Sequence, residues 1–307
     1  MDPVINPETL VGGAGARIER ILCPVDFSEV SMKVYRYGQS IASHYGAALA
    51  VQHTIELEQY VSGLYAPSLG LFEEFRQTQI ANARRELQQL LSAFSGIRAE
   101  CIVQEGMAAD AILRLARERE MSLIVLGTHG RRGFDRLMLG STTERVLRRA
   151  SCPVLVVRPT APGSSDRATA DEPVPIRRIL CCVDFSPHSR RALEYALSAA
   201  EAYDAEVTVF HALDDVSESA NVGRETDAVM ETLEKLLPPG ASRSTKARLE
   251  VRLGRAYQEI LKLASEMQAD LIVTGVRGRH SLDLAAFGST TYRVVQLGSS
   301  PVLTVPI

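Results

Sequence analysis

Residues 18–26 read IERILCPVD, and residues 176–184 read IRRILCCVD. The two stretches lie 158 positions apart, whereas from Gly106, which matches Gly254, the offset is 148. A constant offset with a single step indicates that one unit has been duplicated and that its length then changed once. The step lies between positions 54 and 105, where the first copy is about ten residues longer.

The composition between the copies indicates where one unit ends. Residues 160–175 (TAPGSSDRATADEPVP) are rich in Pro, Ser, Ala and charge, which is typical of a linker. We therefore predict an N-terminal arm at 1–17, a first domain at 18–159, the linker at 160–175 and a second domain at 176–307.

The overall composition narrows the class of protein. The chain has 307 residues, 46% hydrophobic and 23% charged, with a net charge of −3, which argues against a basic nucleic-acid surface or a surface for anionic membranes. It has no apolar run near 18 residues and no basic segment followed by an apolar core at its N-terminus. We interpret its five cysteines as reduced core residues and expect a cytoplasmic protein.

Each copy alternates short apolar runs with helical patterns. In the first copy RILCPV, ALAVQHT, RAECIVQ, SLIVLG and PVLVVR are strand candidates, with helices predicted over about 30–45, 71–94, 108–119 and 141–150. Such alternation predicts a doubly wound α/β domain with a parallel sheet covered on both faces. Ligands of these folds bind beyond the carboxyl ends of the strands, so the residues after strands one and four are the candidate site.

A glycine-spaced motif follows the fourth strand of both copies. Gly127 and Gly130 are followed after nine residues by GSTT at 140–143, and the second copy repeats this spacing from Gly275 to GSTT at 288–291. Glycine lets the backbone approach a ligand closely, and the start of the following helix offers free N–H groups to phosphate. The chain contains no G-x4-G-K-[ST] loop, so backbone amides and hydroxyls would hold the phosphates.

A structural explanation of this motif stays open. Ser141 with Glu144 forms the pattern of a capping box, which needs no ligand. The second copy keeps the glycines but has Tyr292 in place of the glutamate, so capping alone does not explain both copies. Arg131 and Arg279 lie within the glycine loops, where they either contact phosphate or are solvated.

Asp26 and Asp184 come directly after the first strand of each copy. A carboxylate at this edge can accept hydrogen bonds from a ribose or a base, or bind Mg²⁺ together with phosphates. Ser28 and Ser186 follow two residues later and are predicted helix N-caps. His53 and His211 end the second strands, where packed histidines are more common than ligands.

The VDFS stretches, the duplicated G-x2-G-x9-G-[ST] motif and the closing CPVLVV and SPVLTV strands resemble the universal stress protein family. The resemblance implies an ATP-binding subclass with a five-stranded parallel sheet (Rossmann-like, similar to the adenine nucleotide alpha hydrolases). For the first copy it implies a site lined by Pro24, Val25, Asp26, Thr54, Gly127, Gly130, Gly140, Ser141, Thr142 and Thr143. For the second copy it implies Cys182, Val183, Asp184, Ala212, Gly275, Gly278, Gly288, Ser289, Thr290 and Thr291.

The resemblance also implies how the copies associate. Family members usually dimerise through the last strand, which here would pair residues 154–157 with 302–305 inside one chain and leaves a further homodimer open. We expect a regulatory protein whose ATP occupancy sets its shape or its choice of protein partner. A slow ATPase, and a nucleotide-independent scaffold that uses residues 54–72 as a partner surface, are the alternatives.

Overall fold

Ten strands form one continuous sheet within the residues that the computed structural model describes, which are 17–57, 69–92, 99–128, 139–158, 173–214, 222–238, 246–277 and 287–307. The strands of the first half are β1 (Arg20–Pro24), β2 (Ala48–Ile55), β3 (Ala99–Glu105), β4 (Leu123–Gly127) and β5 (Val154–Val157). Those of the second half are β6 (Arg178–Cys182), β7 (Glu206–Leu213), β8 (Ala247–Leu253), β9 (Leu271–Gly275) and β10 (Val302–Val305).

Helices connect these strands. In the first half they are α1 (Glu29–Tyr45), α2 (Leu69–Ser92), α3 (Ala108–Glu118) and α4 (Ser141–Arg149). In the second half they are α5 (Pro187–Tyr203), α6 (Val222–Leu236), α7 (Ala256–Glu266) and α8 (Ser289–Leu297). No described helix is both long enough and apolar enough to cross a membrane.

The order of the strands is β3-β2-β1-β4-β5-β10-β9-β6-β7-β8. Neighbours within each half are parallel, and the two halves join where β5 and β10 pair antiparallel, with Leu155 opposite Leu303. This junction, which we call the seam, is the pairing of residues 154–157 with 302–305 that the sequence predicts.

Further contacts cross between the halves beside the seam. The guanidinium of Arg158 donates to the backbone oxygen of Gly298 at 2.7 Å and to that of Gln296, at the end of α8. On the other side of the sheet the His44 ring stacks on Tyr203, with 3.8 Å between ring centroids, and His44 Nε2 donates to the oxygen of Ala202 at 3.0 Å. The two halves therefore pack against each other through both strands and helices.

Alternation along the strands divides the buried side chains between two layers. Ile21 and Cys23 pack with α1, α2, α5 and α6 on one face, whereas Leu22 packs with α3, α4, α7 and α8 on the other. Each layer contains residues of both halves, so the two cores run across the seam. The doubly wound parallel fold predicted from the sequence is confirmed, with both halves merged into one sheet. The predicted domain boundaries stay predictions, because residues 1–16 and 159–172 lie outside the described residues.

The interpretation of all five cysteines as core residues is wrong for one of them. Cys23, Cys152, Cys181 and Cys182 are buried, but Cys101 is exposed on β3, an edge strand whose outer side has no neighbouring strand. Cys181 and Cys182 belong to opposite layers, as expected for adjacent residues of a strand.

These environments predict selective alkylation. Burial raises the pKa of all five thiols, that of Cys152 to about 12, but only the four buried thiols are also shielded from reagents. We expect iodoacetamide at pH 8 to modify Cys101 in the native protein and all five cysteines in denaturant, as measured by peptide mass spectrometry. Native labelling of Cys181 or Cys182 at the rate of Cys101 would contradict this packing.

Candidate functional site

A fixed carboxylate lies at the carboxyl end of the first strand of each half. Asp26 Oδ1 accepts hydrogen bonds from the backbone N–H of Ser28 at 3.1 Å and from the Ser31 hydroxyl at 2.9 Å. Asp184 Oδ1 accepts from the N–H of Ser186 at 3.1 Å and from its hydroxyl at 2.6 Å. These local bonds hold both carboxylates at the edge of the sheet where ligands of such folds bind.

The residue after each of these aspartates has a positive φ. The φ angle is 60° at Phe27 and 65° at Phe185, in the left-handed region that is unfavourable for a residue with a side chain. Such conformations cost on the order of 1–3 kcal/mol and persist where the surroundings enforce them. The sequence analysis missed this feature, because nothing in the letters DFS distinguishes a strained turn from an ordinary helix start.

The strand-end histidines support these turns. Their rings lie 4.4 Å from Phe27 for His53 and 4.7 Å from Phe185 for His211. His53 Nδ1 lies 2.8 Å from the carbonyl oxygen of Val25, and His211 Nδ1 lies 2.6 Å from that of Val183. A carbonyl oxygen only accepts, so both Nδ1 atoms carry a proton and donate. The histidines are therefore packed structural residues, the commoner of the two expected roles.

The predicted serine caps occur in both halves, with one difference. Ser186 accepts from the N–H of Ser189 at 3.2 Å and precedes Pro187 at the first helical position. Ser28 also occupies the N-cap position, but its buried hydroxyl makes no capping bond and has no partner within the described ranges. The first half thus has a less complete helix start than the second.

The glycine motif connects β4 to α4 and β9 to α8. The N–H of Gly140 donates to the oxygen of Thr128 at 2.8 Å, and that of Gly288 donates to the oxygen of Val276 at 3.0 Å. The two ends of each loop are therefore hydrogen-bonded to each other. The interior of each loop falls outside the described residues, at 129–138 and 278–286, and with it the predicted site residues Gly130, Arg131, Gly278 and Arg279.

The helix after each loop begins without a side-chain cap. Gly140 and Gly288 are the N-caps, and neither α4 nor α8 has a side-chain capping bond. Glu144 accepts instead from Arg148, at 3.1 and 2.7 Å, so the capping box that Ser141 and Glu144 suggested is not formed. The helix start that remains is capped by glycine, with first-turn N–H groups that have no intrahelical acceptor.

The hydroxyl residues of the two helix starts divide into two groups. Ser141 and Ser289 are exposed at the first helical position, and Thr142 and Thr290 are half-buried. Thr143 and Thr291 are buried, and their hydroxyls donate to the oxygens of Gly127 at 2.6 Å and Gly275 at 2.9 Å. The buried threonines thus tie each helix to the end of the strand before its loop.

Gly275 lies where β9 meets the first turn of α5. A Cβ atom there would lie 2.7 Å from Cβ of His188, 2.9 Å from its backbone carbon and 3.0 Å from the nitrogen of Ser189. Close packing between strand and helix therefore accounts for this glycine without a ligand. Burial, followed by the charge of Arg277, lowers the pKa of His188, and Asp184 opposes the shift. The first half has Val30 at the position of His188.

The side of the site formed by the second strand differs most between the halves. In the first half the side-chain amide of Gln52, 1% exposed, donates to Thr54 Oγ1 at 3.2 Å and to Gln104 Oε1 at 3.0 Å. The second half has Phe210, Ala212 and Arg252 at the three corresponding positions. Arg252 forms ion pairs with Glu250, Glu259 and Glu266. The polar residue within the ALAVQHT run was the available signal for Gln52, and the sequence analysis missed it.

The remaining predicted residues lie at the same strand ends. Pro24 ends β1 with buried Val25 after it, and buried Cys182 ends β6 with buried Val183 after it. Across the described ranges, no three His, Cys, Asp or Glu side chains group closely enough to hold a metal ion by themselves. Mg²⁺ is commonly held by one or two carboxylates together with phosphate oxygens, an arrangement that needs no such group.

The packing of Gly275 predicts a stability defect rather than a binding defect. We expect Gly275→Ala to lower the free energy of unfolding by about 1–3 kcal/mol, because the methyl group meets the backbone of α5. Gly223→Ala is the matched control, since a Cβ at that position of α6 meets nothing within 4 Å. It should be neutral or stabilise by up to about 1 kcal/mol. Equal urea midpoints for the two variants would show that the close approach is absent.

A known protein family and individual known proteins match this chain over most of its length. The model of the universal stress protein family matches residues 17–158 and again residues 175–306. A universal stress protein of Mycolicibacterium smegmatis is 27% identical over 292 residues, covering 93% of this chain and 96% of its own length. Universal stress protein Rv2005c of Mycobacterium tuberculosis is 26% identical over 293 residues, covering 92% of this chain and 95% of its own.

A solved structure supports the fold over nearly the whole chain. The crystal structure of a universal stress protein from Archaeoglobus fulgidus superposes with a TM-score of 0.68 at 24% identity, covering 94% of this chain and 99% of that one. The similarity therefore includes both halves together.

Proposed function

Because the chain belongs to the universal stress protein family and contains two copies of its domain, we propose that each half binds one molecule of ATP at the carboxyl edge of its strands. The observation that carries the proposal is the duplicated arrangement of a locally fixed carboxylate and a glycine-capped helix start. Nucleotide occupancy would then set the conformation of the chain or its binding to a protein partner.

The phosphates would bind at the starts of α4 and α8. A helix start has unpaired N–H groups and the positive end of the helix dipole, and both favour an anion. Because the N-caps are glycines, the N-cap residue has no side chain that would compete with a ligand for these donors. Exposed Ser141 and Ser289 supply additional hydroxyls, with Thr142 and Thr290 next to them. Arg131 and Arg279 would contact the phosphates from the glycine loops.

The carboxylates would hold the rest of the nucleotide. Asp26 and Asp184 would accept from the ribose or the base, or would bind Mg²⁺ shared with the phosphates, which matches the ion's preference for one or two carboxylates plus phosphate oxygens. Pro24, Val25 and Thr54 would contact the base in the first half, and Cys182, Val183 and Ala212 in the second. Gly127, Gly130, Thr143 and their counterparts Gly275, Gly278 and Thr291 would shape the loop around the phosphates.

The two sites would differ in affinity for the base. The amides of Gln52 and Gln104 lie beside Thr54 in the first half, whereas Phe210 and the ion pairs of Arg252 lie beside Ala212 in the second. The phosphate side is alike in the two halves, so we expect two sites of one design and unequal strength.

Single substitutions of the two aspartates test whether both sites work. Asn keeps the oxygen that accepts from Ser28 or Ser186 but removes the charge, so the folded state should persist. We expect Asp26→Asn and Asp184→Asn each to weaken one of two ATP-binding events by about tenfold, as measured by calorimetric titration with Mg²⁺-ATP. The reason is the lost charge-assisted contact to ribose, base or Mg²⁺.

Asp227→Asn is the matched control, because this carboxylate is exposed on α6 and lies outside the proposed sites. It should leave both binding events unchanged. Absence of ATP binding to the unsubstituted chain would refute the proposal, and equal loss at both sites from a single substitution would refute the assignment of one aspartate to each site.

A further inference from the structure

A cavity lies at the seam, away from the proposed nucleotide sites. It has a volume of about 40 Å³ and is lined from both halves. Tyr37 and Tyr45 come from α1, and Tyr195 and Tyr203 come from α5. These tyrosines correspond to each other through the offset of 158, so the cavity lies on the approximate twofold axis that relates the halves.

The approximate symmetry continues in the floor of the cavity. Leu155 and Leu303, which face each other across the seam, both line it. The symmetry fails at two pairs of lining positions: Ser122 corresponds to Asp270, and Ile41 of α1 corresponds to Ala199 of α5. The smaller side chain leaves space on the side of the second half.

The walls offer little to a polar molecule. Ser122 Oγ accepts from the N–H groups of Glu19 and Arg20 and donates to the oxygen of Arg20. Asp270 Oδ2 accepts from the N–H groups of Arg177 and Arg178. The two polar side chains other than tyrosine that line the cavity are therefore engaged with backbone groups.

The tyrosine rings contribute to the apolar lining. The Tyr203 hydroxyl is the exception, since it is buried and has no hydrogen-bond partner among the described residues. Burial raises the pKa of Tyr203, with Tyr45 adding to the shift, and burial also raises the pKa of Tyr45. Both shifts follow from the partial burial of these rings.

The volume and the chemistry together define an occupant. A space of about 40 Å³ is on the order of one xenon atom, and the side chains around it expose almost only apolar atoms to it. Apolar sites of this size accept xenon or very small hydrocarbons. We propose that the seam cavity is a binding site for a small, uncharged, apolar molecule, held between α1 and α5 by contacts with both halves.

Xenon is the direct probe, because it is apolar and makes no hydrogen bonds. In the full chain with ¹³C-labelled methyl groups, we expect xenon pressure to shift the signals of Ile41, Ile176, Leu155 and Leu303, all of which line the cavity. Methyl groups far from the seam, such as those of buried Leu87 in α2, should not shift. Cyclopropane, which is apolar and small, should compete with xenon, and formate should not, because a carboxylate would have no partner there.

The difference between Ile41 and Ala199 provides the matched variants. Ala199→Ile introduces the residue that the first half has at the same position, so it should fill the cavity without disturbing the fold. We expect it to weaken xenon binding by about tenfold or more and to leave the thermal midpoint equal or higher. Ala202→Ile makes the same change at an exposed position of α5 and should leave xenon binding unchanged.

Three results would overturn the proposal. They are the absence of xenon-dependent shifts at the lining methyl groups, equal shifts in the Ala199→Ile variant, and competition by formate as strong as that by cyclopropane. None of these readouts depends on ATP, so the outcome is independent of the proposed nucleotide sites.

Discussion

The antiparallel pairing of β5 with β10 is the contact on which the rest of the architecture depends. Each half on its own would be a five-stranded parallel sheet with β5 or β10 as an exposed edge, and an apolar unpaired edge invites aggregation. Pairing VLVV with VLTV covers both edges at once. It also makes each of the two hydrophobic layers continuous across the halves, because both layers contain residues from β1 and from β6.

The direction of this pairing also determines where the proposed nucleotide sites lie. Strands run in one direction within each half and in the opposite direction across the seam, so the carboxyl ends of the two halves face opposite edges of the sheet. β1 and β6 are five steps apart in the strand order, or about 24 Å at about 4.8 Å per step. The helices α1 and α5 each begin beside one carboxylate and end with Tyr45 or Tyr203 at the seam cavity. Each helix therefore reaches from one proposed site to the surface shared by both halves.

Much of this could be predicted from the sequence, for definite physical reasons. Buried parallel strands appear as short apolar runs, so the strand bounds agree with the structure within one or two residues, and the repeat indicates which elements correspond. The capping box that Ser141 and Glu144 suggested does not form, because Glu144 pairs with Arg148 one turn further along the helix. The pattern S-x-x-E alone does not exclude this pairing. The prediction that Cys101 is a core residue was wrong because β3 is an edge strand. The residues of a strand do not indicate whether it lies at the edge or in the centre of the sheet.

The same difference between local patterns and long-range contacts applies to single residues of the site. Local patterns predicted aspartates at the strand ends, the serine N-caps and helices that begin directly after Gly140 and Gly288, which all depend on near neighbours in the chain. The positive φ at Phe27 and Phe185, the approach of Gly275 to α5 and the Gln52–Gln104 pair all depend on contacts between distant segments. Gly275 shows the consequence most clearly, since a glycine expected to serve a ligand is already required by packing.

The most direct test of this account is a crystal structure of the full chain grown with Mg²⁺ and a non-hydrolysable ATP analogue. The account predicts one nucleotide at each of the two opposite edges of the sheet, with phosphates at the starts of α4 and α8 and Asp26 or Asp184 beside the ribose, the base or a Mg²⁺ ion. A chain without nucleotide at either edge, or with nucleotide bound only at the seam, would contradict it.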